Sequence, residues 1–273
     1  MAQKGILRKM QAHLAEPVTY HLPVDDALIN LNPYLGQSLR LRFSGAIHCI
    51  ACGRKTSKSF NQGYCYPCFT RLAECDTCIV KPERCHYAQG TCREPDWAQR
   101  HCFQPHIVYL ANSSGVKVGI TRLSQVPTRW IDQGATEALP MLQVASRWIA
   151  GLAEVGFAQH ITDKTDWRQM LKRRADSCDL FAVRAQLLDL CAGEIAALRQ
   201  RFGDDALRGL SETTVTTIDY PILHYPQKIT ALNFDKQADI HGTLLGIKGQ
   251  YLIFDCGVLN IRKFAGYQVE VFD

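Results

Sequence analysis

Four cysteines, Cys49, Cys52, Cys65 and Cys68, form a C-x2-C-x12-C-x2-C ladder. Two C-x-x-C knuckles a dozen residues apart have the ligand spacing of a structural zinc ribbon, because each tight turn lets two thiolates reach one ion. The stretch from Gly53 to Gly63 is basic and polar, with glycine at both ends. That composition suits a hairpin returning the second knuckle to the first. A redox pair and a disulfide framework are the alternatives, but two knuckles at this spacing need no second explanation. Downstream, Cys75 and Cys78 make a third knuckle, followed by Cys85-His86, Cys92 and His101-Cys102. These predict a second zinc held by Cys75, Cys78, Cys85 and Cys92, with Cys102 as the strongest substitute. The spacing also allows cross-bracing, in which alternate knuckles share an ion. His86 and His101 read as surface residues or as groups behind the ligands.

The chain has 273 residues and 12 cysteines. No apolar run reaches 18 residues, so no membrane span is expected. The first residues lack the apolar core of a secretory signal. Many cysteines without such a signal point to metal and reduced thiols, hence to a cytoplasmic protein. The formal charge of +5 counts cysteine as neutral. Two Zn(Cys)4 sites would lower it to about +1. Overall charge therefore says little about nucleic acid, and local patches matter more.

The elements that must position these residues read as an α+β fold. Residues 1–48 are a β segment, with strands at Thr19–Leu22 and Leu39–Phe43. The second alternates apolar and basic residues, giving one buried face and one Arg40/Arg42 face. Residues 49–104 are the zinc-ribbon-like cysteine-rich block. Residues 105–175 form a small α/β module opened by a hairpin of His106–Ala111 and Val116–Thr121. Residues 128–134 and 141–160 read as helical or mixed. Residues 176–210 are a connector carrying an amphipathic helix over 178–202, with Gly203 ending it. Residues 211–273 are successive antiparallel strands, a barrel or a sandwich, completed by the N-terminal strands. Trp130, Trp148 and Trp167 read as core residues, and Cys178 and Cys191 as ordinary thiols, Cys191 on the buried face.

From Ile107 to about Trp167 the sequence resembles the GIY-YIG nuclease superfamily, most closely its divergent phage-type branch. The likeness rests on Val108-Tyr109-Leu110 and on Lys117-Val118-Gly119-Ile120-Thr121. The wider chain is similar to the bacterial DUF2797 type. There a cysteine-rich segment precedes such a hairpin, and patterns like Thr128-Arg-Trp-Ile-Asp-Gln-Gly134 and Gly246-Ile-Lys-Gly-Gln-Tyr-Leu252 recur.

The nuclease resemblance implies roles. Tyr109 would sit by the scissile phosphate and help deprotonate the attacking water. Gly119 would let backbone and substrate come close. Arg129 would stabilise charge on the transition state. Glu154 would bind Mg2+ as a carboxylate ligand to a hard cation. Lys117 stands where the superfamily has a second Tyr. The Asn found near the end of many such modules has no match, although Asp163 and Asp166 lie in that region. Plainer readings stand beside these roles. Tyr109 could be a strand aromatic, Lys117 an exposed strand residue, and Arg129 a partner of Asp132 on a helix surface.

The sequence thus predicts a DNA- or RNA-binding zinc protein with an Mg2+-dependent endonuclease module. Arg54, Lys55 and Lys58 on the ribbon tip, with Lys248 and Arg262 in the C-terminal strands, would contact the backbone. The alternatives are an inactive scaffold that only binds nucleic acid, and a protein-interaction module.

Overall fold

A computed structural model describes residues 2–161, 166–211 and 213–272. Asp163 lies outside the described residues. Strands β1 (Gln3–Ile6), β2 (Gln11–His13), β3 (Thr19–Val24), β4 (Ala27–Asn30) and β5 (Ser38–His48) precede the cysteine-rich block. The block itself holds a two-residue strand, β6 (Lys55–Thr56), and short helices α1 (Tyr66–Arg71), α2 (Thr77–Val80) and α3 (Pro95–His101). Next come β7 (His106–Asn112), β8 (Val116–Arg122), α4 (Thr128–Asp132), β9 (Glu137–Val144), α5 (Arg147–Ala158) and α6 (Trp167–Lys172). Helices α7 (Leu180–Leu190) and α8 (Ala192–Phe202) lead to β10 (Leu207–Gly209) and β11 (Thr216–Thr217). The chain ends with β12 (Asp239–Lys248), β13 (Tyr251–Phe254), β14 (Gly257–Asn260) and β15 (Tyr267–Phe272).

Both ends of the chain build one antiparallel sheet in the order β1-β15-β5-β12-β13-β14, with β6 added to β5. Strand β5 is its centre, flanked by β12 and β15. Leu39 and Leu41 point into the core with no exposed surface. The Arg face is closed into ion pairs: Arg40 Nε donates to Asp239 at 2.8 Å, and Arg42 reaches Glu270 at 2.7 Å. Both guanidinium groups also lie over the Phe272 ring. The order ends at β1 and β14 without closing, so the barrel expected for 211–273 is not formed. A second sheet, β2-β3-β4, contributes Tyr20 and Leu22 to the same core.

The third sheet, β10-β9-β7-β8 with β11 on β9, is packed on both faces. Alternation along β7 divides its side chains. Val108 and Leu110 join a core that includes Ile149 and Phe157 of α5 and Leu187 of α7. Ile107, Tyr109 and Ala111 join the core of the main sheet. Burial on both faces explains why β7 reads as a nearly continuous apolar run. Residues 141–144, read as helical or mixed, are strand: they finish β9, whose partner is β7. The helix expected over 178–202 breaks at Cys191, where φ −101° and ψ 17° end α7 before α8 begins. Cys191 is buried as expected, and Gly203 (φ 89°) ends α8.

One turn locks these layers together. Gln250 Oε1 accepts from Met10 N at 2.9 Å, and its Nε2 donates to Met10 O at 3.1 Å and to Asp132 Oδ1 at 2.8 Å. Asp132, at the end of α4, also pairs with Lys9. Asp132 is therefore not the helix-surface partner foreseen for Arg129. Lys248, expected at an exposed hairpin tip, is fully buried. Its Nζ donates to Met170 O at 2.9 Å and Arg173 O at 3.3 Å, satisfying carbonyls around the end of α6, and it faces the Tyr220 ring. It has no surface to offer a phosphate. Asp166 likewise serves locally, its side chain accepting from Arg168 N at the start of α6.

Burial, and then nearby Arg174, lower the Lys248 pKa from the ordinary 10.5 to about 8. Between those values the unfolded chain holds a proton that the folded chain lacks, so folding gains stability as pH rises. The Tm of the wild type relative to Lys248→Met is expected to climb between pH 8 and 10.5. A flat difference across that range would contradict the buried ammonium.

Candidate metal centre and basic cleft

The first cysteine ladder folds as its spacing requires. Gly53 (φ 71°) and Gly63 (φ 132°) take the left-handed turns at the two ends of the hairpin. Cys65 begins α1, with Pro67 in its first turn. The ligand atoms of Cys49, Cys52, Cys65 and Cys68 all lie within 4.8 Å of one another, and the Cys52 and Cys65 sulfurs are 3.8 Å apart. Tetrahedral Zn–S bonds of ~2.3 Å place ligand sulfurs about 3.8 Å apart, so this geometry is compatible with a zinc site.

Their electrostatics agree with that. Burial raises the Cys49 thiol, but hydrogen bonds from the backbone of Cys65, Cys52 and Ala51 outweigh it and bring it down to about 6. Burial, followed by contacts with the other three sulfurs, pushes Cys68 up to about 12. Without a cation the quartet cannot carry four negative charges at this spacing. A divalent ion lets every sulfur ionise.

The later cysteines divide differently from the predicted set. Cys75 turns towards the first ladder: it is buried beside the Asn61 side chain and within electrostatic reach of Cys49. Cys78, Cys85, Cys92 and Cys102 instead line one small cavity. Cys102, and not Cys75, therefore shares that cavity with Cys78, Cys85 and Cys92. The cause is the tight turn over residues 73–75, which seats Cys75 on the other side of the block.

Between the cysteine block and the third sheet lies a cleft of about 1360 Å3. Helix α5 presses directly against Pro82, and Gly151 makes the approach possible: a Cβ there would lie 2.5 Å from the Pro82 Cβ. The cleft brings together Lys117 of β8, Arg129 of α4, Glu154 of α5 and Arg262 from the turn after β14. Burial and nearby Arg129 lower the Arg262 pKa, so these two guanidinium groups sense each other.

Tyr109 lies beneath this surface. It faces Gly119 across the β7–β8 ladder. A Cβ on Gly119 would come within 2.8 Å of the Tyr109 Cζ and hydroxyl, so the missing side chain makes room for the ring. The Tyr109 hydroxyl donates to Gln133 Oε1 at 2.8 Å and lies within hydrogen-bonding reach of Arg129. Burial raises this phenol to about 12. Fully enclosed and holding its proton, Tyr109 is not placed to deprotonate water. Its contacts orient Arg129 and Gln133.

Arg54, Lys55 and Lys58 are exposed on the ribbon hairpin, outside the cleft lining. Trp130 is core, Trp148 meets Phe202 edge to face, and Trp167 stacks on Tyr251. Five further cations line the cleft without having been foreseen: Arg8, Lys9, Lys81, Arg122 and Arg147. Arg147 left a legible trace. It follows the capping Ser146, in the first turn of α5, where a cation opposes the helix dipole. A charge in a locally unfavourable place signals a task elsewhere. Arg8 and Lys9 left none, because only the pairing of the two chain ends brings them there.

The chain belongs to the DUF2797 family, described as a protein of unknown function, whose model matches residues 36–269. No curated protein and no solved structure matches it. No helix among the described residues is long and apolar enough to cross a membrane.

Replacing Cys65 by Ser is expected to remove the bound zinc of the first ladder and to lower the Tm by several degrees, since metal binding at such sites contributes directly to folding. Metal analysis and calorimetry check this. Undiminished zinc content would contradict the four-sulfur site.

Proposed function

We propose, starting from membership of DUF2797 and reasoning from the cleft, that the protein binds a nucleic-acid backbone there and hydrolyses one of its phosphodiester bonds. One observation carries the reading. Lys117, Arg129, Glu154 and Arg262, contributed by four separate segments, line one concave surface together with further arginines. A cleft lined by cations focuses field lines and draws in a polyanion. Five carboxylates, Asp25, Glu74, Asp76, Asp132 and Glu154, stand among the eight cations of this lining, and Glu154 suits phosphate chemistry because a hard cation takes a carboxylate and phosphate oxygens together.

The GIY-YIG likeness of the β7–β8 hairpin supports the same roles. Arg129, steadied by Tyr109, would hold the phosphate and stabilise the charge that develops on it. Arg262 and Lys117 would fix the strand on either side. Glu154 would hold Mg2+, which supplies Lewis-acid polarisation of the phosphate and a more acidic water. The zinc ribbon would act as a rigid arm, with Arg54, Lys55 and Lys58 reaching the backbone beyond the cleft.

A second reading, binding without cleavage, is favoured by one observation: Tyr109 is enclosed and its phenol stays protonated, while Lys117 stands in place of the second Tyr. The test separates the two. Labelled single- and double-stranded DNA and RNA are incubated with the protein, with and without Mg2+ or Mn2+. Cation-dependent cleavage by the wild type is expected, lost in Glu154→Ala and lowered about 100-fold in Arg129→Ala. Binding without cleavage would select the second reading. Cleavage that persists unchanged in Glu154→Ala would contradict the assignment.

A further inference from the structure

The cations of the cleft are not spread evenly over it. Of the eight lysines and arginines in its lining, seven come from outside the cysteine block, and the block supplies one, Lys81. Beside Lys81 the block places the carboxylates of Glu74 and Asp76. Much of the rest of its share is hydrocarbon, from Ile50, Phe69, Ile79 and Val80. The cleft thus has one basic wall and a facing wall that is apolar and weakly acidic.

The apolar wall is open to solvent. Val80 is 77% exposed, more than any other large apolar residue among those described. Phe69 is half-buried and stacks on Phe60, with ring centroids 5.8 Å apart and planes 23° from parallel. Tyr66, an exposed ring, meets Phe60 at 5.5 Å, and Lys58 Nζ lies 5.3 Å from the Phe60 centroid. These rings lead from the cleft towards the hairpin cation Lys58. An exposed apolar strip bordered by charge marks a binding surface.

Two of the seven cations tie the walls together. Arg8 Nη1 donates to Ile50 O at 3.0 Å, and Arg147 Nη2 donates to Ile79 O at 2.5 Å, each crossing from the basic side to the block. Lys9 pairs with Asp132. Lys117, Arg122, Arg129 and Arg262 complete the basic wall. A duplex carries phosphates on both strands. Filling this cleft, it would press one set against Glu74, Asp76 and hydrocarbon, where an anion is penalised. A single strand has one phosphate edge and one base edge. It matches both walls, with cations for the first and a ring and hydrocarbon for the second. Gln62, exposed on the block side of the cleft, adds an amide able to pair with a base edge.

We infer that the cleft takes a single strand of nucleic acid, with its phosphates along the basic wall and its bases against Phe69 and Val80 of the cysteine block. Bases beyond the cleft reach the exposed Tyr66 ring. The strand class rests on the reading of the cleft as a nucleic-acid site and adds to it the form of polymer that the two unlike walls select.

Anisotropy with the full-length protein tests this, for DNA and for RNA, at one salt concentration and without Mg2+ so that nothing is cleaved. It compares a labelled single strand, its duplex, and an abasic strand of the same length. The single strand is expected to bind at least about tenfold more tightly than the duplex, and removal of its bases to weaken it about tenfold. Phe69→Leu keeps the apolar bulk and removes the ring. It is expected to weaken the intact strand and leave the abasic strand unchanged, with the ladder zinc retained. A duplex bound as tightly as the single strand would overturn the inference and leave backbone binding standing. So would an abasic strand bound as tightly as the intact one, and so would Phe69→Leu weakening both strands equally. Failure of all three polymers to bind would instead remove the nucleic-acid reading itself, and this inference with it.

Discussion

The buried contact between Asp132 and Gln250 is the constraint on which the rest of the molecule turns. Gln250 ties the β12–β13 turn to the backbone of Met10 and to the end of α4 in one set of hydrogen bonds. Tyr20 also borders that space, close enough to Asp132 to feel its charge. Lys9 pairs with Asp132, and the Gly249 backbone sits against the Asp132 and Gly134 backbone. A Cβ on Gly249 would come within 3.0 Å of the Asp132 carbonyl. The Gln250 amide and the Asp132 carboxylate both have partners here, the condition under which burying them is tolerable. Helix α4 is thereby fixed against both ends of the chain; it carries Arg129, and Gln133 follows directly after it. The orientation of the cleft's central guanidinium thus follows from a contact made by residues distant in sequence.

The third sheet carries this constraint across the molecule. Because β7 is buried on both sides, its alternate residues serve different cores, and neither face can shift alone. Tyr109 faces the α4 side and Val108 the α5 side. Arg129, on α4, and Glu154, on α5, line one cleft together with the edge strand β8. The cysteine block closes the far side. It has little apolar core of its own and leans on α5 through Pro82, and an ion held by the ladder would add rigidity.

Much of this was legible in the sequence. The ladder of Cys49, Cys52, Cys65 and Cys68 was, because ligand spacing is a local property. The β7–β8 hairpin and the C-terminal strands were, because alternation and turn residues are local too. The convergence of Arg129 and Glu154 came from a resemblance and not from periodicity. What stayed hidden was tertiary. Lys248 looked like a solvated tip because nothing local says that α6 will cover it. Residues 141–144 read as helical or mixed because a strand buried on both faces has no alternation. Cys75 looked like a partner of Cys85 and Cys92 because its neighbour Cys78 lines the same cavity as they do. One knuckle serving two places cannot be read from spacing. Arg8 and Lys9 were invisible as cleft residues, since their position depends on a sheet built from both ends of the chain.

The central claim is that the cleft, and not the exposed hairpin alone, receives the phosphate backbone. Anisotropy of a labelled oligonucleotide across a series of salt concentrations tests it most directly. If the claim holds, log K falls linearly with log[salt], and Arg262→Ala reduces the slope by about one, because one fewer phosphate is neutralised. If Arg262→Ala leaves both affinity and slope unchanged, while Lys55→Ala and Lys58→Ala alone reduce them, the backbone lies on the ribbon and the cleft has another purpose.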